Sequence, residues 1–120
     1  MAITPNFLSQ CTDEQINKGV AWANCSLIKN YFSDPEAGVT YRISSFGIVS
    51  RFDPCTNPND IMPIAVDNRI NLMSPLEHKD KWMASATQGG GNWSINDFNA
   101  ANTNPYRAIC EVYILMMVAK

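Results

Sequence analysis

The segment from Ala108 to Ala119, AICEVYILMMVA, is the most apolar run in the chain and constrains its fold more than any other feature. It contains Glu111 and is well short of the about 20 residues that a helix needs to span a bilayer. Asn104 followed by Pro105 is typical of a helix start, which predicts a helix from Tyr106 towards Lys120. Because this helix is apolar on nearly every face, it must be enclosed by a sheet or by another subunit.

Length and charge limit the classes of protein to consider. The chain has 120 residues, which predicts a single domain over residues 1–120. Hydrophobic residues make up 46% and charged residues 17%, as in a folded globule. The net charge of −2 argues against a partner that is a nucleic acid polymer, because such proteins carry a basic face. A small anionic molecule remains compatible with this charge, and no membrane partner is expected.

Helix signals dominate the amino-terminal part of the chain. Thr12 and Gln15 have capping-box spacing, and the residues that follow recur at helical intervals, which predicts an amphipathic helix over residues 12–30. Trp22 lies off the tightest apolar stripe of that helix. Further along, Asn57 followed by Pro58 predicts the start of a short helix.

Strand signals occupy the middle of the chain. Residues 39–50 predict a strand, or a strand broken at Gly47. The segments RINLM and KWMAS predict two short strands, and INDFN predicts a brief helical turn after the serine at position 94. Together these patterns predict an α+β domain, with an antiparallel sheet of short strands and the first and last helices packed on one face. The apolar last helix also predicts a homo-oligomer, with that helix or the adjoining sheet at the contact.

We expect the four cysteines of the chain to be reduced thiols. The beginning of the chain, MAITPNFLSQ, lacks the charged and apolar regions of an export signal, so we expect a cytosolic protein. No CxxC pair is present to support a structural zinc site.

Catalytic chemistry has little support in the sequence. His78 is the one histidine and lies in the charged stretch EHKDK, where no local signature pairs it with a cysteine. The connector that begins at Asp53 lacks the glycine and the closing glutamate of a calcium loop. The glycine run has no lysine after it, so it is not a phosphate loop. We therefore expect no enzyme activity, no metal and no cofactor.

A ligand-binding site is the hypothesis that the remaining residues favour. In TQGGGNWS, residues 87–94, the three glycines would let backbone amides approach an anion closely. Helix starts offer unpaired amides, an arginine in a first turn would face a ligand or an acidic group, and indoles offer stacking faces. The predicted lining residues are Asn57, Trp82, Gly89, Gly90, Gly91, Trp93, Asn104 and Arg107. The alternative is a plain hairpin loop with two core tryptophans and a surface arginine.

The later two-thirds of the chain resembles the NinX-like family of small phage proteins. The similar segments are FDPCTNPNDIMPIAVDNRINL, WMAS and NPYRAICEVYILM, and TDEQINKGVAWA is similar to the opening helix of the family. The matching residues are Phe52, Pro54, Asn57, Asp60, Pro63, Ile64, Ile70, Leu72, Trp82, Pro105, Arg107 and Ala108. The resemblance implies a phage accessory protein that is expressed in the host bacterial cytoplasm.

Two functions from different classes follow as expectations. The first is a non-catalytic accessory protein that binds or sequesters a small nucleotide-like ligand, such as a signal of host defence. The second is a protein–protein inhibitor that covers a host factor. An enzyme is the third and least supported alternative, because acids, bases and nucleophiles are few.

Overall fold

A computed structural model describes residues 4–24, 30–34, 36, 38–44, 46–75, 80–86 and 98–118 of the protein. Four helices and six strands lie within these ranges. They are α1 (Pro5–Ser9), α2 (Asp13–Asn24), β1 (Asn30–Asp34), β2 (Val39–Ile43), β3 (Val49–Arg51), α3 (Pro58–Asp67), β4 (Asn71–Met73), β5 (Trp82–Ala86), β6 (Phe98–Asn102) and α4 (Pro105–Val118).

The helix starts follow from local side-chain chemistry. Thr12 and Gln15 form the predicted capping box: Gln15 Oε1 accepts from the Thr12 amide at 2.8 Å, and Thr12 Oγ1 accepts from the Gln15 amide at 3.2 Å. At α3, Asn57 Oδ1 accepts from the amide of Asn59 at 3.0 Å, and Pro58 occupies the first turn. Both helices therefore begin where the sequence predicts.

The first three strands form sheet A. Their order is β1-β2-β3, and both neighbouring pairs are antiparallel. The segment predicted as a strand broken at Gly47 is the β2–β3 hairpin, and Gly47 has φ +81°, which a glycine adopts without strain. Phe32 lies opposite Tyr41, and the two rings stack with centroids 5.2 Å apart.

The last three strands form sheet B, on which α4 packs. Their order is β4-β5-β6, again antiparallel, with Ala84 opposite Ala100. Ala84, Ala86 and Ala100 are buried and α4 contacts both β5 and β6. Because these side chains are small, the helix can come close to the sheet at this face.

Helix α4 is the centre of the core. It contacts α1, α2, α3, β5 and β6, and every residue from Arg107 to Leu115 is buried. The enclosure that its apolar sequence requires is therefore supplied by the same chain along most of its length. Among the helices in the described ranges, none combines the length and apolarity needed to cross a bilayer.

The structure confirms the predicted α+β class, with amino- and carboxyl-terminal helices packed on antiparallel strands. The strands divide into two three-stranded sheets. Two boundaries were predicted wrongly. Asn30 begins β1 instead of ending α2, and Phe98 and Asn99 belong to β6 instead of a helical turn. β6 has the sequence FNAAN, whose low strand propensity is overridden by pairing with β5 and packing under α4.

Candidate functional site

Arg107, in the first turn of α4, is the centre of a buried polar cluster. Its Nε donates to Glu111 Oε2 at 3.0 Å, and its Nη1 donates to Asp13 Oδ1 at 2.7 Å. Its Nη2 donates to the backbone carbonyls of Leu8 at 2.9 Å and Cys11 at 2.6 Å. Only 7% of the residue is exposed, so its charge joins α1, α2 and α4 inside the molecule.

For each of Arg107 and Glu111, burial and the neighbouring opposite charges shift the pKa in opposite directions. Burial raises the pKa of Glu111, and the hydrogen bond and charge of Arg107 offset only part of that rise. For Arg107, burial lowers the pKa, but the hydrogen bonds to Asp13 and Glu111 outweigh it and leave the pKa raised. Arg107 therefore stays charged, and the removal of Glu111 from water is the unfavourable part of the pair.

A second set of hydrogen bonds ties down the connector before α3. Asn17 Nδ2 donates to Asp53 Oδ1 at 2.9 Å, while Asn17 Oδ1 accepts from the Cys55 amide at 3.0 Å. Asn104 Nδ2 donates to the Cys55 carbonyl, and Asp60 Oδ2 accepts from the Asp53 amide at 2.8 Å. This connector acts as a structural turn. Across the described ranges, no group of three or more His, Cys, Asp or Glu side chains is arranged to hold a metal ion.

The described cysteines are free thiols, and the environment of one of them, Cys110, limits its reactivity. Cys55 and Cys110 are buried, Cys11 is half-buried, and all three are free. Burial raises the pKa of Cys110 well above its ordinary value, and the neighbouring Cys55 thiol adds to the rise. Because the thiolate is the nucleophilic form, Cys110 is unreactive at neutral pH.

The structure brings four of the predicted site residues to the same end of sheet B. Asn104 binds the carbonyl of Cys55, two residues before Asn57, and Trp82 lies opposite Asn102, two residues before Asn104. Asn57 and Asn104 use their side-chain oxygens as helix caps; that of Asn104 accepts from the amide of residue 106 at 3.0 Å. Arg107 faces two carboxylates, so its donors are committed within the chain. Ligand binding by these four residues stays a prediction.

The other four predicted residues, Gly89, Gly90, Gly91 and Trp93, lie outside the described residues. They belong to the connection that leaves β5 after Ala86 and returns at Phe98. That end of the hairpin is four residues from Trp82, or about 13 Å along a strand. Their role as ligand-binding residues also stays a prediction.

An open groove lies between α2 and β1, and we call it the α2–β1 groove. Its volume is about 370 Å³. Trp22 is 69% exposed and Phe32 is 43% exposed, so both offer ring surface to solvent. Lys18 is exposed and forms no ion pair with the part of the chain that the structure describes. The lining residues are Lys18, Ala21, Trp22, Tyr31, Phe32 and Ser33.

A second groove of about 380 Å³ adjoins the first and shares Lys18 and Ser33 with it. We call it the α2–β2 groove; it is lined by Thr12, Glu14, Gln15, Lys18, Ser33, Asp34, Gly38 and Thr40. Glu14 Oε1 accepts from Arg51, whereas Glu14 Oε2 is a buried oxygen without a hydrogen-bond partner among the described residues. A buried acceptor in this state is uncommon in folded proteins.

Sequence reasoning missed these groove residues. One local signal was available, because Trp22 lies off the apolar stripe of α2 and the structure places its indole in solvent. Lys18 and Glu14 precede it by four and eight residues, which puts all three on one helical face. The opposing wall could not be foreseen, since β1 was not predicted.

Comparison with known proteins gives the family of the chain. No curated protein shows significant similarity to it. The sequence model of the family described as Bacteriophage P22, NinX matches residues 8–117, which is nearly the whole chain and includes all four helices in part or in full. The resemblance to the NinX family, carried by the later segments and by the sequence of α2, is thereby confirmed. The chain belongs to the Bacteriophage P22, NinX family.

Proposed function

We propose that this phage protein is a non-catalytic accessory protein that binds a small nucleotide-like ligand in the α2–β1 groove. The observation that carries the proposal is the presence in one groove of an exposed indole and of the Lys18 ammonium group, which forms no ion pair with the described residues. Trp22 and Lys18 are four residues apart on α2, so they lie on one face with a rise of about 6 Å between them. The setting we propose is the host bacterial cytoplasm, where the ligand would be a nucleotide signal such as one of host defence.

The two ends of the groove suit the two parts of a nucleotide. Stacking of a base on an aromatic side chain contributes about 1–3 kcal/mol, and Trp22 and Phe32 both offer ring surface. A lysine ammonium binds phosphate as a point charge, and Lys18 is available for that role. The groove volume of about 370 Å³ is also within the range of about 300–1,000 Å³ that is typical of small-molecule sites.

This site differs from the one that the sequence favours. The sequence favours Arg107 as the cation of the site, but in the structure its guanidinium is buried and bonded to Asp13 and Glu111. Lys18 takes over that part in the proposal because its ammonium group lies in a groove that is open to solvent. The glycine run remains a separate predicted element of binding.

Calorimetric titration with adenosine nucleotides tests the proposal. We expect Trp22→Ala to weaken binding by about five- to a hundredfold through lost stacking. Lys18→Gln should weaken it by about tenfold or more through loss of the charge-assisted contact. Phe46→Ala and Lys81→Gln are matched controls, because both positions are exposed and lie outside the groove. Unmutated protein that binds none of the nucleotides, or controls that weaken binding as much, would rule the proposal out.

A protein–protein inhibitor is the second candidate, and one exposed turn favours it. Phe46, Ile48 and Val49 are all exposed at the β2–β3 turn, with Phe46 at 89%. The turn is held in shape by Ser44, whose hydroxyl accepts from the amide of Ile48 at 3.1 Å. A preformed apolar turn of this kind suits a contact with another protein.

The two candidates separate in a binding assay with host lysate. If the inhibitor function holds, the unmutated protein retains one host protein, and Phe46→Ser releases it. Phe7→Ser is the control, because Phe7 is an exposed aromatic residue on α1, away from the β2–β3 turn. Retention that Phe46→Ser leaves intact would exclude the turn as the contact surface.

A further inference from the structure

We infer that the ligand of the α2–β1 groove carries a single phosphate group, as a monoester or a cyclic diester, and that a second or third phosphate weakens its binding. The inference rests on the proposed function and specifies its ligand class. That class is a nucleoside monophosphate or a cyclic mononucleotide, and nucleoside diphosphates and triphosphates are selected against.

The grooves offer one positive charge to a ligand. Lys18 is the only cationic side chain among the described residues that line either groove. Two arginines also contact α2, but both are committed within the chain: Arg51 donates to Glu14, and Arg107 donates to Asp13 from a buried position. A lysine binds phosphate as a point charge, so one ammonium group balances about one negative charge of the ligand.

The order of the groups along α2 sets where further phosphates would lie. Trp22, Lys18 and Glu14 are spaced by four residues, so they share one helical face and are about 6 Å apart along the helix. A nucleotide whose base stacks on Trp22 places its first phosphate at Lys18. Each further phosphate then extends from Lys18 towards Glu14, along the α2–β2 groove.

The Glu14 end of this path offers no free cation to a second phosphate. The side chain of Glu14 is 34% exposed, and the charge of Arg51 is already matched by the Glu14 carboxylate. The amino terminus of α2 carries a partial positive charge, but Asp13 and Glu14 place two carboxylates in its first turn. The capping box also occupies the amides of Thr12 and Gln15. A second phosphate would therefore lose water there without gaining a counter-charge.

Titration of the unmutated protein with AMP, cyclic AMP, ADP and ATP tests the inference. The buffer contains a chelator, because a divalent cation would neutralise the added phosphates. We expect AMP or cyclic AMP to bind about tenfold or more tightly than both ADP and ATP. The comparison of AMP with cyclic AMP distinguishes a monoester from a cyclic diester.

Two variants test the cause of this preference. Glu14→Gln removes one carboxylate and leaves Arg51 without that ion pair, so the far end of the path gains positive charge. We expect this variant to raise the affinity for ATP about tenfold relative to the affinity for AMP. Glu36→Gln removes an exposed carboxylate outside both sets of lining residues and should leave the ratio of the two affinities unchanged.

The outcomes distinguish the inference from the function on which it rests. If ADP or ATP binds as tightly as the tighter of AMP and cyclic AMP, or if Glu14→Gln leaves the ratio unchanged, the inference is overturned and nucleotide binding stands. If none of the four nucleotides binds the unmutated protein, the proposed function fails and the inference fails with it.

Discussion

At the scale of single residues, the guanidinium of Arg107 carries a full charge into a buried position, where only 7% of the residue is exposed. Its partners come from helices α1 and α2 and from the next turn of α4. Breaking a buried charge pair by removing one member costs about 3–5 kcal/mol, because the other charge remains buried. Arg107 therefore contributes to the folding of the chain through the carboxylates that it neutralises.

We predict that Arg107→Ala lowers the free energy of unfolding by about 3–5 kcal/mol, as measured by urea denaturation. Arg51→Ala is the matched control and should cost less than about 1 kcal/mol, because Arg51 is 52% exposed and its ion pair with Glu14 is at the surface. The double variant Arg107→Met/Glu111→Leu should recover much of the loss, since it leaves no unpaired buried charge. If the Arg107→Ala variant has a near-native free energy of unfolding, solvent must reach the Arg107 cluster, and the prediction is wrong.

Glu111 makes stability depend on pH in a direction opposite to that of most surface carboxylates. Burial raises its pKa above the ordinary value of 4.5, so within a window above that value the folded protein binds the proton and the unfolded chain does not. As the pH rises through this window, the unfolded state becomes relatively more favourable, and the contribution of Glu111 to stability falls.

We predict that the unmutated protein loses stability relative to Glu111→Gln as the pH rises from about 4 through the raised pKa. The glutamine variant deprives Arg107 of the Glu111 carboxylate and keeps that of Asp13, and the cost on the arginine side is constant because arginine does not titrate in this range. Denaturation at several pH values measures the difference between the two proteins. A difference that grows with pH would show that the pKa of Glu111 is lowered instead.

At the scale of secondary-structure elements, the contact between α2 and α4 depends on the absence of a side chain at Gly19. A Cβ atom at this position would lie 2.9 Å from Cδ1 of Ile114 on α4. Alanine would favour the helix by about 0.5–1 kcal/mol, so packing and helix propensity oppose each other here.

We predict that Gly19→Ala is more favourable in an Ile114→Val background, which lacks the clashing methyl group, than in the unmutated protein. Ile114→Val alone should cost about 0.5–1.5 kcal/mol, and the added alanine should return about 0.5–1 kcal/mol of it. A double-mutant cycle in urea gives the coupling between the two positions. Additive effects would show that α2 and α4 separate easily at this point.

The elements also show which parts of the fold could be read from the sequence. Helix starts at Thr12, Asn57 and Asn104 were predictable, because each cap joins residues two or three positions apart. Strands β1 and β6 were not, since their formation depends on pairing and packing partners outside the local sequence. The α2–β1 groove could not be predicted for the same reason, as one of its two walls is β1.

At the scale of the whole molecule, α4 is covered by its own chain, and this changes which surface is free to form the predicted homo-oligomer. The helix is covered by its own chain, and the adjoining sheet B keeps an exposed pair of methionines, Met73 opposite Met83. We therefore expect sheet B, and not α4, to form the contact in the predicted oligomer. Neither Arg107 nor the two grooves takes part in this surface.

We predict a homo-oligomer that forms through this face of sheet B, and that Met83→Lys converts it to a monomer. Light scattering over a range of concentrations measures the mass of each protein. Val66→Lys is the control, because Val66 is an exposed apolar residue on α3. An unmutated protein with a constant mass near 13.4 kDa contradicts the prediction.

The hydrogen bonds of Arg107 join parts of the chain that the ribosome synthesises at different times. Its partners Leu8, Cys11 and Asp13 precede it by 94 to 99 residues, so α1 and α2 leave the ribosome long before the residue that joins them to α4. At about 5–20 residues per second, translation of that interval takes about 5–20 s. During this time the apolar side of α2 lacks the helix that covers it in the folded protein, so the two amino-terminal helices complete their packing only after α4 has been synthesised.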